Sequence, residues 1–316
     1  MPESMIWDKL NKPILALAPM DDVTDTVFRR MIADCYPPDL YLTEFASVDG
    51  FMSAGREAVE QKLRFTDAEK PLIAQLWGLE PDNYLKTAKQ LASRGYAGID
   101  INMGCPQNKI IKNGACAALM NDRELAGRII AATKRGLGGE LPLSVKTRVG
   151  FNDIDLSWTE FLLNQGLDAL IIHGRTVKQM SKVPNNWEVI AKIALKRDEI
   201  APGTKIIGNG DALNRVQAEE LAEKYGLDGI MIGRGVFNDP YAFSPDSPWD
   251  RLSKEKKLEH YAKHIKLFID EWGSQKNPAG LKKFAKLYVS GFDGASQLRA
   301  ELMQAGSAAE LLQQVT

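Results

Sequence analysis

The chain has 316 residues, of which 44% are hydrophobic and 26% charged, with a formal net charge of −1. That balance suits a globular protein with a sizeable core; it excludes a disordered chain and gives no global signature of a nucleic-acid binder, so any basic surface has to be local. No apolar run is long enough to cross a bilayer, and the polar start MPESMIWDKL is unlike a secretory signal, so a cytoplasmic protein without a membrane partner is expected.

Short apolar runs followed by amphipathic stretches give a repeating strand-then-helix alternation. Candidate strands run from Ile14 to Ala18, Leu40 to Phe45, Leu72 to Trp77, Ile99 to Met103, Leu143 to Arg148, Ala169 to His173, Lys205 to Asn209 and Gly229 to Gly233. Helical patterns between them include Asp82 to Arg94, Asp122 to Arg135, Asp155 to Gln165, Trp187 to Leu195 and Arg215 to Tyr225, several preceded by Asn or Asp as caps. Eight such repeats predict an α/β fold of the (β/α)8 TIM-barrel type over residues 1–244. Near Ser244-Pro245-Asp246-Ser247-Pro248 the alternation stops at a linker. A small all-helical domain over 245–316 is expected, built from a long helix ended by Gly273 and two further helices, Pro278 to Val289 and Ala295 to Leu312.

Polar residues fall at or just past successive strand ends: Met20, Glu44, Gln75, Asn102, Lys146, His173, Asn209 and Arg234. In a barrel these positions converge on one mouth. Cys105 sits there too, in a turn shaped by Gly104 and Pro106, which suits either a thiolate nucleophile or a general acid. The other two cysteines, Cys35 and Cys116, read as small buried hydrophobes, and three cysteines without a CxxC suit a reducing compartment. His260 and His264 lie four apart but lack the glutamate of a zinc-protease motif, so no metal site is expected. Lys146 and Arg148 alternate on one strand and so share a face, where buried cations call for an anionic or electron-rich ligand. Glycine-rich turns at Gly208-Asn209-Gly210-Asp211 and Gly233-Arg234-Gly235 form a phosphate pocket of the kind found after the last two strands of such barrels. FMN accounts for the pocket, the lysine and the thiol together, whereas pyridoxal phosphate would not need the thiol.

Residues 251–286 carry ten Lys or Arg against four Asp or Glu, a local net charge of +6. This is either a solvated helix face or a surface for a phosphate backbone.

The motifs taken together resemble the tRNA-dihydrouridine synthases. Ala18-Pro19-Met20, Thr24-Asp25, Phe28-Arg29, Thr43-Glu44-Phe45, Gln75, Asp100-Ile101-Asn102-Met103-Gly104-Cys105-Pro106, Lys146-Thr147-Arg148, His173-Gly174-Arg175-Thr176, Gly208-Asn209-Gly210-Asp211 and Met231-Ile232-Gly233-Arg234 follow that family's order and spacing. The resemblance implies a flavin-dependent oxidoreductase, expected as a monomer, that uses NADPH to reduce the C5–C6 double bond of particular uridines in tRNA. It implies that Pro19, Met20, Asp21, Gln75, Lys146, His173, Asn209, Gly210, Asp211, Gly233 and Arg234 hold FMN and that Cys105 protonates C5. Asn102, Arg148 and Arg175 become neighbours of the uracil, and Lys282, Lys283 and Lys286 part of a grip on the tRNA backbone. The stretch Val177 to Trp187 departs from the family's usual aromatic and glycine, and Cys116 stands where glycine or serine is usual. Two other readings are a flavin enzyme of a free pyrimidine, resembling the dihydroorotate-oxidising barrels, and a non-catalytic tRNA-folding factor. The basic tail argues against the first, and Cys105 together with Lys146 against the second.

Overall fold

The computed structural model describes residues 5–316. Eight parallel strands form the barrel: β1 (Ile14–Leu17), β2 (Leu40–Leu42), β3 (Leu72–Trp77), β4 (Gly98–Met103), β5 (Leu143–Arg148), β6 (Ala169–His173), β7 (Lys205–Asn209) and β8 (Gly229–Ile232). Each pairs with the next, and β8 returns to β1 in the register Ile14↔Gly229 to Leu17↔Ile232, which closes the sheet. Closure buries both faces of nearly every strand, and this is why the strands read as apolar runs rather than alternating ones. The expected strand from Leu40 to Phe45 stops at Leu42, because Thr43 turns its hydroxyl to accept from the Gln75 N–H; a two-residue ladder, Ala46–Ser47, then pairs with the end of β3.

Inward-facing residues are graded along the barrel axis. The first inward positions of the strands are apolar: Ile14, Ala16, Leu40, Leu42, Ile73, Ala169, Ile171, Ile207 and Met231 form one buried cluster, and Trp7 closes its lower end. The last inward positions are polar, namely Gln75, Asp100, Asn102, Ser144, Lys146, Arg148, His173 and Asn209, and they surround the C-terminal mouth. A packed floor under a polar rim is the architecture that places chemistry at the mouth.

The outer helices start where side chains cap them. Asp25, Asp122, Asp155, Asn186 and Asn214 each accept an N–H from the first turn of the helix that follows. The helix Thr26–Cys35, here α1, is amphipathic but absent from the sequence-level reading, and Trp187–Ile200 runs one turn further than expected. α1 is pinned by a fully buried ion pair between Arg29 and Glu69, supported by Thr26 donating to Glu69 at 2.6 Å.

In the tail, Lys254–Trp272 ends at Gly273 as expected, with a φ of 49°. The expected helix from Pro278 to Val289 is two single turns, Ala279–Lys282 and Ala285–Tyr288. The last helix divides into Ala295–Gln304 and Ala308–Val315, because Ser307 caps the second piece while Glu310 reaches back to the Gly306 N–H. The tail packs on α1: Phe284 stacks between Phe28 (centroids 4.8 Å apart) and Phe237 (5.9 Å), while Trp272 and Lys276 both donate to Asp25. Tail and barrel share one apolar cluster. Among the described residues no helix is long and apolar enough to cross a membrane.

Candidate active site

Two adjoining cavities open at the barrel mouth. The larger, about 820 Å³, is lined by Ala18, Pro19 and Met20 on one side and by Lys146, His173 and the two glycine turns on the other. The smaller, about 270 Å³, holds Cys105 and shares Pro19, Lys146 and His173 with the first. Their combined size is that of a small-molecule or cofactor cleft.

Lys146 donates to Asn209 Oδ1 at 2.9 Å, and Asn209 is oriented by its own bond to the Met231 carbonyl. The ammonium keeps two further N–H groups for a ligand. Burial, with Arg148 nearby, pushes Lys146 down to about 8. His173 accepts at Nε2 from Arg175 at 3.1 Å, since a guanidinium only donates, so Nδ1 carries the ring proton. Burial and the surrounding cations Arg148, Lys146, Arg175 and Arg234 hold this ring neutral.

Arg175 and Arg234 both bind Asp211, which lies in the left-handed region at φ 57° next to Gly210 at φ 127°. Burial would raise the Asp211 carboxyl, but these partners and the Asn185 N–H hold it below the ordinary range. At Gly210 a Cβ would lie 2.2 Å from Asn185, so glycine is required. The Asn185 amide is itself buried without a partner. Gly233 lines the larger cavity, with only Ala18 within 4 Å of its missing Cβ, so a side chain there would fill the cavity.

Arg148 lines the smaller cavity but spends its donors on backbone. It donates to the carbonyls of Gly104 (2.9 Å), Thr176 (3.2 Å) and Met180 (3.0 Å), tying the Cys105 turn to the loop after His173. The same loop is held by Arg175, which donates to the Val183 carbonyl. Below Cys105 lies a buried polar chain. Ser144 and Gln75 donate to Asp100 at 2.6 and 2.7 Å, Asn102 donates to Gln75 at 3.0 Å, and Asn102 accepts from the N–H groups of Gly104 (3.1 Å) and Cys105 (3.0 Å). Burial pushes Asp100 up to about 6, while the bonds from Ser144 and Gln75 and the charge of Lys146 work against the rise.

Burial, reinforced by the charge of Asp21, raises the Cys105 thiol above its ordinary value, so it is a proton-bearing group rather than a ready thiolate. Asp21 lines the smaller cavity and pairs with Lys62. Lys62 also lies 3.9 Å from Glu44, which is 1% exposed and has one oxygen without a partner. Lys62 was missed from the sequence because it comes from the end of a separate short helix, Arg56–Lys62, with no strand-end signal.

In the tail, Lys283 reaches the Asp22 carbonyl beside the mouth at 3.4 Å, and Lys286 is exposed. Lys282 instead donates to the Met303 carbonyl within the tail. Cys116 is buried, as a packing residue would be. His264 is buried and bonded to Tyr288, while His260 faces Tyr241 and Cys35.

The dihydrouridine synthase (Dus) family model matches residues 16–316. A probable tRNA-dihydrouridine synthase of Staphylococcus aureus (strain COL) is 43% identical over 308 residues, covering 96% of this chain and 92% of the relative. A probable tRNA-dihydrouridine synthase 2 of Bacillus subtilis (strain 168) is 40% identical over 309 residues, covering 96% and 94%. Among solved structures, a 2-naphthoyl-CoA reductase aligns with a TM-score of 0.56 at 12% identity over 75% of this chain and 50% of its own. Morphinone reductase aligns at 0.51, also with 12% identity, over 75% and 86%. These two likenesses speak for the barrel alone. Sequence, barrel and mouth agree, and the chain belongs to the dihydrouridine synthase family.

Proposed function

We propose that this protein is a tRNA-dihydrouridine synthase that binds FMN, draws on NADPH and reduces the C5–C6 double bond of specific uridines in tRNA. The observation that carries the reading is that the cavity holding Cys105 shares Lys146 and His173 with a larger cavity ending in glycine turns. The donor set suits a phosphate-bearing flavin. Lys146, Arg175 and Arg234 outnumber the single carboxylate Asp211 around the larger cavity, and Gly233 leaves the wall open where a side chain would block it. The turns at Gly210 and Gly233, with Arg234, would take the phosphate. Pro19, Met20, Lys146, His173 and Asn209 would flank the ring, and Gln75 retains one amide hydrogen for it.

FMN, when bound and reduced by NADPH, supplies the hydride for uracil C6. Cys105 delivers the proton to C5, and its elevated proton affinity keeps that proton in place until carbanionic character develops there. The thiolate left behind regains its proton from solvent. Arg148 holds the Cys105 turn against the loop after His173, and Arg175, 3% exposed, ties that loop to itself at the Val183 carbonyl and to Asp211. Asn102, its amide engaged at both ends, shapes the turn that presents the thiol to the base. A uridine in folded tRNA reaches such a recessed thiol only by leaving its stack. Residues 1–244 act as the catalytic barrel and 245–316 as the part that grips tRNA, with Lys283 beside the mouth and Lys286 exposed on the same tail.

Incubation of purified protein with NADPH and unmodified tRNA transcript, followed by positional mapping of dihydrouridine, tests the reading. Product is expected from the wild type, and the Cys105→Ala variant is expected to bind flavin but lose turnover by about 10²-fold or more. A colourless preparation that cannot be reconstituted with FMN, or undiminished turnover in the variant, would overturn it.

A further inference from the structure

The polar chain beneath Cys105 has two ends whose hydrogen-bonding sense cannot be reversed. At the bottom, Asp100 is fully buried, and both its carboxylate oxygens accept from neutral donors, Ser144 and Gln75. At the top, the backbone N–H groups of Gly104 and Cys105 can only donate. Between them lie two side-chain amides, each of which could point either way.

The fixed ends decide both. A carboxylate facing Gln75 makes it present Nε2 downward, leaving Oε1 to accept from Asn102 Nδ2 at 3.0 Å. Asn102 then has Oδ1 for the two N–H groups above, and that is the acceptor they need. Donor meets acceptor at every link from Asp100 to the thiol-bearing turn.

We propose that Asp100 is a positioning residue for Cys105: its carboxyl group, accepting from Gln75, sets the direction of the Gln75–Asn102 amide pair and thereby holds the turn that carries the thiol. The role in turnover rests on Cys105 being the proton donor; the role in positioning does not. Lys146, on the neighbouring strand, adds a cation that favours the ionised form of Asp100. Tyr84, on the helix Pro81–Ala92, is buried and its phenol is held neutral chiefly by that burial, with Asp100 among the charges that add to it.

The test exchanges the chemistry of two adjacent links. Gln75→Glu sets a second carboxylate against Asp100, and such a pair holds a shared proton at neutral pH. Exchange is therefore followed up to about pH 9, where loss of that proton leaves the link between them without a donor. Adding Asp100→Asn restores one, because the new amide donates to one oxygen of the carboxylate introduced at position 75 while Asn102 donates to the other. Amide hydrogen exchange is followed in peptides containing Gly104 and Cys105, with the outer helix Trp187–Ile200 as the internal reference. Gln75→Glu is expected to speed exchange at the turn by about tenfold or more, the size of one mismatched buried bond, and the double variant to return it to within about threefold of wild type. A double variant no better protected than Gln75→Glu, a Gln75→Glu variant with unchanged protection, or equal loss in the reference helix would overturn the proposal. Dihydrouridine formation is measured on the same proteins. If the wild type makes none, the functional reading fails while the exchange comparison still decides the positioning role.

Discussion

Removing Arg148 should release two loops at once. Its guanidinium, in a residue 7% exposed, makes three bonds to the carbonyls of Gly104, Thr176 and Met180. Bonds from a charged donor are worth roughly 1.5–3 kcal/mol each, but burying the cation takes part of that back, and burial pushes Arg148 itself down to about 10. A net of about 1 kcal/mol per bond gives about 3 kcal/mol for Arg148→Ala. At roughly 2 °C or more per kcal/mol for a chain of this size, the melting temperature should fall by about 6 °C or more. Arg148→Lys keeps the charge but not the fork, so it should recover about one bond's worth. Thermal unfolding by circular dichroism gives the size of the loss, and hydrogen exchange shows whether the Cys105 turn and the 176–180 loop loosen together. A loss under about 1 kcal/mol, or faster exchange in one loop only, would refute the bracing role.

With Lys146 against the flavin as proposed, FMN binding should be sensitive to pH. Burial sets its folded value, about 8, below the ordinary 10.5, so between those limits the unfolded chain holds more protons and stability of the flavin-free protein rises with pH. An electron-rich ligand favours the charged lysine; FMN affinity should therefore decline as pH climbs above about 8, and fluorescence titration of Lys146→Met should show that slope gone. Asp25→Ala removes the cap of α1 and the acceptor for Trp272 and Lys276, at a cost of about 2–3 kcal/mol. Limited proteolysis should then cut first in the 273–280 stretch, and a wild-type digestion pattern would contradict the anchoring. Exchanging Lys283 and Lys286 for Glu should weaken tRNA binding and flatten its salt dependence by about one unit per lost phosphate contact, without displacing flavin. An unchanged salt slope would exclude these two lysines from the interface.

The barrel was legible because closure buries every strand on both faces, so each appears as a short apolar run, and because Asp or Asn caps mark where helices begin. The site was legible to the extent that it sits at strand ends: Cys105, Lys146, His173 and Asn209 all do. Contacts formed between distant segments were not. Lys62 meets Asp21 across 41 residues and Arg29 meets Glu69 across 40, and neither pairing leaves a local pattern. The engagement of Asn102 was hidden for the same reason, since its inward position could be read but not the carboxylate two links below. By contrast, the break at Gly306 did have a local sign, the Ser307 and Glu310 capping pair, which the apolar periodicity across it obscured.

The graded interior of the barrel divides the labour of the chain by height. Residues at the start of each strand, such as Ile14, Ile73 and Ile207, set how much heat the protein survives and have no view of any ligand. Those at the end, such as Asn102 and Asn209, contribute little apolar burial and line the mouth cavities. Mutational drift at the floor is thus limited by folding, whereas drift at the rim is limited by turnover.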